Sequence, residues 1–200
     1  MNISLDGYLS GPKGELDWHF ETWNEEMSKK LLEQLEKTDT ILLGRFTYEA
    51  MAKYWSVKPL EQNFARQDLA IADRMNRHTK VVFSKTRTDS IWNNSIFAIN
   101  NPEKEIMRLK HQKGKNIILY GSGSLVTTLI QYSLVDKYQL WIHPIILGRG
   151  KPLFKNLKTG LRLKLTDSVI FESGVIVFCY EVTHKKIAPQ RGQWLQRDKG

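Results

Sequence analysis

Cysteine is almost missing from this 200-residue chain. Cys179 stands alone, so no intramolecular disulfide can form and a reducing compartment is the natural setting. Its neighbours, Val175-Ile176-Val177-Phe178 and Tyr180, are apolar or aromatic, which suits an inert thiol in a strand. Long apolar runs are missing as well. No segment approaches the roughly 18 apolar residues of a membrane helix, and Met1 to Gly11 lacks the basic-then-apolar pattern of a signal peptide, so a cytoplasmic protein is expected. The five histidines, His19, His78, His111, His143 and His184, lack ligand spacing, and no metal centre is expected.

Acidic residues are fewer than basic ones, 21 against 30, a formal net charge of +9. Such an excess invites a phosphate-bearing partner, either nucleic acid or a small phosphorylated cofactor. Nucleic-acid binding would need basic residues interleaved with aromatics on one surface. The short stretches Lys85-Thr86-Arg87 and Lys185-Lys186 do not supply that, so a nucleic-acid module is the weaker expectation. With 41% apolar and 26% charged residues the chain can bury one core, and its length fits one domain with an appendage. The appendage is residues 184–200, where five cations (Lys185, Lys186, Arg191, Arg197, Lys199) face only Asp198, a net +4; a flexible basic tail is expected after a domain over 1–183.

Short β-branched runs recur at Thr40 to Leu43, Lys80 to Phe83, Ser95 to Ile99, Asn116 to Tyr120 and Tyr138 to Ile142, and read as strands buried on both faces. Helical patterns lie between them. Met27, Leu31, Leu32 and Leu35 mark one amphipathic helix, and Asn101-Pro102-Glu103 supplies a cap, a first-turn proline and an acid for another. Alternating strands and helices mean crossover connections and an α/β fold with a largely parallel sheet. Near the end, Leu161 to Phe171 and Val175 to Val182 flank Glu172-Ser173-Gly174, so the last two strands form an antiparallel hairpin and the sheet is mixed. Phe64, Leu69, Ile71 and Met75 allow an irregular helical connection within Ser56 to His78.

Three strand ends carry residues that suit a dinucleotide. In Leu43-Gly44-Arg45-Phe46-Thr47 a strand stops at a glycine that permits close backbone approach, a helix start offers amides, and Arg45 can pair with phosphate through two parallel hydrogen bonds. In Phe83-Ser84-Lys85 a hydroxyl and an ammonium suit the extra phosphate that separates NADPH from NADH. The third is Tyr120-Gly121-Ser122-Gly123-Ser124, before the apolar helix Leu125 to Tyr132. It has the strand, glycine turn and helix that aim amides at a pyrophosphate, but Val126 stands where the third glycine of the full dinucleotide fingerprint would fall.

These sites, in this order, resemble the dihydrofolate-reductase-like superfamily, and within it the group similar to the reductase domain of the bifunctional riboflavin-biosynthesis deaminase-reductase. The segments that carry the resemblance also include Ser4-Leu5-Asp6-Gly7-Tyr8, Gly14-Glu15-Leu16-Asp17-Trp18, and Leu134-Val135-Asp136 through Pro144-Ile145-Ile146-Leu147-Gly148-Arg149-Gly150 to Leu153-Phe154. The resemblance implies a three-layer α/β/α fold that binds NADPH across its strand ends and forms homodimers. By the same resemblance Gly44, Arg45 and Thr47 hold phosphates, Ser84 and Lys85 the 2′-phosphate, and Gly121, Ser122, Gly123 and Ser124 the pyrophosphate. Asp6, Asp17 and Trp18 face the substrate, the two aspartates being candidate proton donors. Asp6 reads equally well as a turn residue, Asp17 as a cap, and Trp18 as a packing anchor.

Two departures from the pattern stand out. Folate reductases carry a carboxylate on the helix before Gly-Arg-x-Thr, whereas here that stretch is Glu25-Glu26-Met27-Ser28, with Glu26 the remaining candidate. Relatives also carry several apolar residues before Ser-Leu-Asp-Gly, where this chain has Met1-Asn2-Ile3, so a short first strand with partly unpaired neighbours is expected. The resemblance thus implies an NADPH-dependent reductase of a small heterocycle, nearest to 5-amino-6-(5-phosphoribosylamino)uracil reduction in riboflavin biosynthesis. The alternatives are an NADPH-binding protein without turnover and a dihydrofolate or pterin reductase.

Overall fold

Alternation of side chains along two central strands sets the layers. In β3 (Thr38–Gly44) Ile41 and Leu43 point to one face and Leu42 to the other; in β4 (Thr79–Phe83) Val82 joins the first face and Val81 the second. The computed structural model describes residues 1–56, 66–157 and 160–187. On the first face lie α1 (Glu25–Glu36), α2 (Arg45–Trp55) and α3 (Arg66–Arg77), through Met27, Leu31, Leu35, Tyr48, Ala52, Ile71 and Met75. The second face is covered by α4 (Pro102–Lys110) and α5 (Gly123–Gln131), through Ile106, Leu125 and Leu129. Each such apolar side chain contributes about 1.5–3 kcal/mol on burial, which is why both faces need a helical cover. The three-layer α/β/α arrangement follows.

The remaining strands are β1 (Asn2–Ser4), β2 (Tyr8–Ser10), β5 (Ser95–Phe97), β6 (Asn116–Gly121), β7 (Lys137–His143), β8 (Lys151–Pro152), β9 (Gly160–Ile170) and β10 (Ile176–Ile187). One four-stranded sheet, β5-β4-β3-β6, is wholly parallel. A second, β1-β7-β10-β9, is mixed: β1 runs parallel to β7, and β10 is antiparallel to both of its neighbours. The short ribbon β2-β8 is antiparallel. The backbone ladder expected to be continuous is therefore divided. At the division stands β1, whose three residues pair, among the described strands, with β7 alone (Asn2 with Trp141, Ile3 with Ile142, Ser4 with His143). Side chains join what the ladder does not: Trp141 and Val177 share a core with Ile41 and Leu43, and Ile3 and Leu140 share one with Val126 and Ile130.

Local signals hold well at helix starts. Asn24 Oδ1 accepts the Met27 amide at 3.0 Å to cap α1, and Asn101 Oδ1 accepts that of Lys104 at 2.9 Å, with Pro102 in the first turn of α4. The run Ser95 to Ile99 stops earlier than expected, at Phe97. As an edge strand β5 leaves Ile96 exposed, and Ile99 beyond it is 98% exposed, so this run is not buried on both faces. The hairpin turn forms as expected, with the Gly174 amide donating to Phe171 O and the Phe171 amide to Val175 O. Strand β10 continues to Ile187 and so takes in the first four residues assigned to the basic tail; residues 188–200 lie outside the described part, as does Phe64. Burial pushes the Cys179 thiol above its ordinary range, as fits an inert group.

One buried cation stabilises the parallel sheet. Lys80, fully buried on β4, donates through Nζ to Met75 O at 3.0 Å and Asn76 O at 2.9 Å, closing the carboxyl end of α3, while its ammonium lies 4.6 Å from the Trp92 ring centroid. Trp92 in turn donates to Asn76 Oδ1 at 2.6 Å. Burial lowers the Lys80 pKa to about 8, so the group stays charged at neutral pH.

Candidate functional site

Since β4, β3 and β6 are parallel neighbours, their carboxyl ends share one edge. The register sets Gly44 beside Phe83 and Leu43 beside Gly121. Three segments far apart in sequence therefore meet along about 10 Å of sheet edge, two strand spacings. The contact is intimate. A Cβ built on Gly44 would lie 2.6 Å from Ser122 Oγ, and one on Gly121 would lie 2.7 Å from Thr47 Oγ1. Gly121 also has φ +147°, a backbone conformation nearly closed to other residues. The first and third phosphate-type segments thus form one cradle, and both glycines are needed to close it.

Two helices begin at that cradle. The residue before α2 is Gly44 and the residue before α5 is Ser122, and neither donates or accepts a side-chain cap bond. The opening amides of both helices are left for an outside acceptor, which gives partial positive charge from two dipoles at one place. Ser122 Oγ lies 2.9 Å from Ser124 Oγ, so a pair of hydroxyls borders the amides.

Toward β4 the edge becomes cationic. Ser84 Oγ accepts the amides of Thr86 at 3.2 Å and Arg87 at 2.8 Å, and Lys85 projects as an exposed cation. Arg45 Cζ lies 3.9 Å from the centroid of the Phe46 ring, which is itself 70% exposed. Arg45 also pairs with Glu49 at 3.3 Å, and Arg87 pairs with the same carboxylate at 3.2 Å. Sequence reasoning did not single out Arg87 or Glu49. The Arg45 to Glu49 spacing of four is a helix-pair signal, but only the fold brings Arg87 to them.

The substrate-side residues are placed differently from one another. Asp6 accepts from Ser4 Oγ at 2.6 Å, the Leu147 amide at 3.1 Å and the Gly148 amide at 2.8 Å, ties that join the turn after β1 to the loop after β7. The Ser4 hydroxyl and these amides hold its carboxyl below the usual range. Asp17 opens the single turn Asp17–His19 and is exposed. Trp18 is buried, donates to Glu15 O at 3.2 Å and stands edge-on to His143 with ring centroids 5.2 Å apart. His143, fully buried at the end of β7, shares a 2.8 Å hydrogen bond with Thr22 Oγ1 through Nδ1, while its Nε2 and the Nδ1 of His19 have no partner among the described residues. Burial pulls both rings down to about 4, His19 despite the opposing field of Asp17 and His143 with help from His19, so both are neutral at pH 7. No group of His, Cys, Asp or Glu among the described residues has a metal-holding arrangement.

A family model described as the RibD C-terminal domain matches residues 1–177. The chain belongs to the RibD C-terminal domain family. The uncharacterized protein YyaP of Bacillus subtilis (strain 168) is 36% identical to it over 180 residues, covering 90% of this chain and 91% of that protein. Among solved structures, a putative riboflavin biosynthesis protein from Shewanella sp. PV-4 superposes with a TM-score of 0.70 at 21% identity, covering 92% of this chain and 96% of that one. Dihydrofolate reductase from Enterococcus faecalis superposes with a TM-score of 0.57 at 12% identity, covering 91% and 93%. The fold is dihydrofolate-reductase-like.

Against that background, the helix α1 of this RibD C-terminal domain is instructive. Its buried positions are Met27, Ser28, Leu31 and Leu35, whereas Glu25 and Glu26 sit exposed in its first turn. Neither glutamate is buried toward the interior as a pteridine-protonating acid would be. Three apolar side chains just past the strand ends are, by contrast, left open to solvent: Leu5 after β1, Phe46 after β3 and Ile146 after β7, at 63%, 70% and 70% exposure. Of these, Phe46 follows Arg45 in the first turn of α2 at the cradle, while Leu5 and Ile146 lie past the ends of the parallel pair β1 and β7.

Proposed function

We propose that this RibD C-terminal domain is an NADPH-dependent reductase of a small heterocyclic substrate, nearest in type to the reduction of 5-amino-6-(5-phosphoribosylamino)uracil in riboflavin biosynthesis. The observation that carries the reading is the cradle of Gly44, Thr47, Gly121 and Ser122, flanked by two uncapped helix starts. A side chain at either glycine would collide with Ser122 or Thr47 and push apart the two segments whose helix starts face the cradle, so the residues present fit the cofactor. In this reading the amides opening α2 and α5, with Ser122 and Ser124, hold the pyrophosphate, and Arg45, Ser84 and Lys85 hold the phosphate on the adenosine ribose. The chemistry the cofactor supplies when bound is hydride donation. The protein's part is to hold two rings face to face and keep water from between them, which suits Leu5, Phe46 and Ile146. Asp6 serves as a positioning residue for the loop at Leu147 and Gly148 rather than as an acid, because a carboxyl held ionised by three donors is a poor proton source. A cytoplasmic homodimer is part of the proposal; no described helix is long and apolar enough to cross a membrane.

One observation favours a second reading, a nucleotide-binding protein without turnover: the half-buried His19 and the buried His143 are neutral and Asp6 is committed, so water or exposed Asp17 would have to deliver the proton. Fluorescence titration with NADPH and NADH, followed by NADPH oxidation against the aminopyrimidine, dihydrofolate and simple pterins, separates the readings. Preference for NADPH and turnover of the aminopyrimidine are expected. Equal or absent cofactor binding would remove the roles given to Arg45, Ser84 and Lys85, and binding without oxidation would leave the second reading in place.

A further inference from the structure

Two guanidiniums meet at one carboxylate beside the cradle. Arg45 comes from the first turn of α2 and Arg87 from the loop after β4, and Glu49 pairs with both: Arg45 Nη1 donates at 3.3 and 3.4 Å to its two oxygens, and Arg87 Nε lies in an ion pair 3.2 Å from Oε1. All three side chains are partly sheltered, at 33%, 26% and 27% exposure, so their charges are less screened than those of an open surface. Arg87 also reaches Asp89 at 3.3 Å, but that carboxylate is 69% exposed and offsets its charge weakly. The Arg87 backbone is fixed by the bond from its amide to Ser84 Oγ. That hydroxyl, having accepted two amides, retains its own proton for donation.

Each guanidinium has five N–H donors, and those on Arg45 Nε and Nη2 and on Arg87 Nη2 meet no partner among the described residues. Two like charges this close repel unless a counter-charge lies between them. Glu49 meets that need before any ligand arrives, so the cost of gathering the cations is borne by folding rather than by binding. Resting on the reading of the edge as an NADPH site, we propose that Arg87 is a second cation for the 2′-phosphate monoester, acting with Arg45 and the Ser84 hydroxyl, and that Glu49 is the positioning residue that sets the two guanidiniums for it. Lys85, exposed and unpaired with this carboxylate, adds long-range attraction rather than a fixed contact.

The test is equilibrium titration of wild type, Arg87→Ala, Arg87→Lys, Glu49→Ala and Glu49→Gln with NADPH, NADH and adenosine 2′-monophosphate. Loss of a charge-assisted phosphate contact in Arg87→Ala should weaken NADPH and adenosine 2′-monophosphate about ten- to a hundredfold, with NADH changed less than about twofold. Retained NADH binding also reports that the variant is folded. Arg87→Lys, which keeps charge but loses the fork, should recover only part. Glu49→Ala should weaken NADPH about three- to tenfold, and Glu49→Gln, which can still accept from Arg45 but lacks the charge that pairs with Arg87, should restore part of that. Equal weakening of NADPH and NADH by Arg87→Ala, or NADPH binding that is unchanged or tighter in Glu49→Ala, overturns the proposal. If wild type binds neither dinucleotide but binds adenosine 2′-monophosphate in an Arg87-dependent way, the cofactor reading fails and this subsite stands; if it binds none of the three, both fall.

Discussion

Adding one methyl group at Gly121 tests the cradle directly. The substitution Gly121→Ala meets two separate obstacles. At φ +147° an alanine is strained by about 1–3 kcal/mol, and its Cβ would lie 2.7 Å from Thr47 Oγ1, an overlap of the kind that costs about 1–3 kcal/mol in a packed site. The expected loss is about 2–6 kcal/mol, a large share of the roughly 5–15 kcal/mol that holds a domain folded. The two contributions can be separated, because Thr47→Ala removes the hydroxyl but leaves the backbone demand. Alone, that half-buried side chain, with no hydrogen bond through its hydroxyl among the described residues, should cost under about 1 kcal/mol. In the double variant the overlap is gone, so the stability loss should fall short of the sum of the singles by about 1–3 kcal/mol. Urea unfolding measures each corner of the cycle, with the slope monitored so that a midpoint shift reads as stability. A loss below about 0.5 kcal/mol in Gly121→Ala would refute the backbone requirement, and additivity within about 0.5 kcal/mol would refute the Thr47 contact. Where the single variant remains folded, NADPH binding should drop at least about tenfold.

Two further outcomes follow from buried titratable groups. His19 and His143 titrate near 4 in the fold against 6.5 unfolded, so the stability tied to their neutral forms is whole above pH 6.5 and is lost as the pH falls toward 4, by roughly 3 kcal/mol for a ring that follows this shift. Urea midpoints at several pH values should show that decline, and His143→Gln should flatten it; an unchanged slope in the variant would assign the decline elsewhere. Lys80→Met should destabilise by about 2 kcal/mol in thermal or urea unfolding, since Met75 O and Asn76 O lose their buried donor even though a charge is no longer desolvated. A neutral or stabilising result would mean that desolvation of the ammonium outweighs its two bonds.

Much of this fold is legible in the sequence because its strongest signals are local. The cap at Asn101, the apolar run that buries Ile41, Leu42 and Leu43 on opposite faces, and the Glu172 to Gly174 turn act within a few residues, whereas sequence reasoning did not single out the cap at Asn24. What could not be read depends on which strands become neighbours. Ser95 to Ile99 has the composition of a buried strand, but its place at the sheet edge leaves Ile99 in water. The phosphate-type segments were recognisable one by one, whereas the contact of Gly121 with Thr47 belongs to the β3 and β6 pairing alone. Likewise Asp6 reads as a turn residue or an acid, and only the folded loop supplies the amides of Leu147 and Gly148 that decide what its carboxylate does. Arg87 is the plainest case, since the short basic stretch Lys85-Thr86-Arg87 gives it no role until Glu49 stands opposite it.

The winding of the chain around β3 has one more consequence. From β3 the chain moves to β4 on one side, while β6 later takes the other, and the helices that follow β3 and β6 depart toward opposite faces of the sheet. Neighbouring strands whose helices part in this way leave a gap between the two helix starts without any residue having been removed to create it. The recess is thus a product of chain order. Its outline is set by two backbones, so, if the proposed cofactor site is there, exchange of the side chains around it would change what is bound and leave the place of binding fixed.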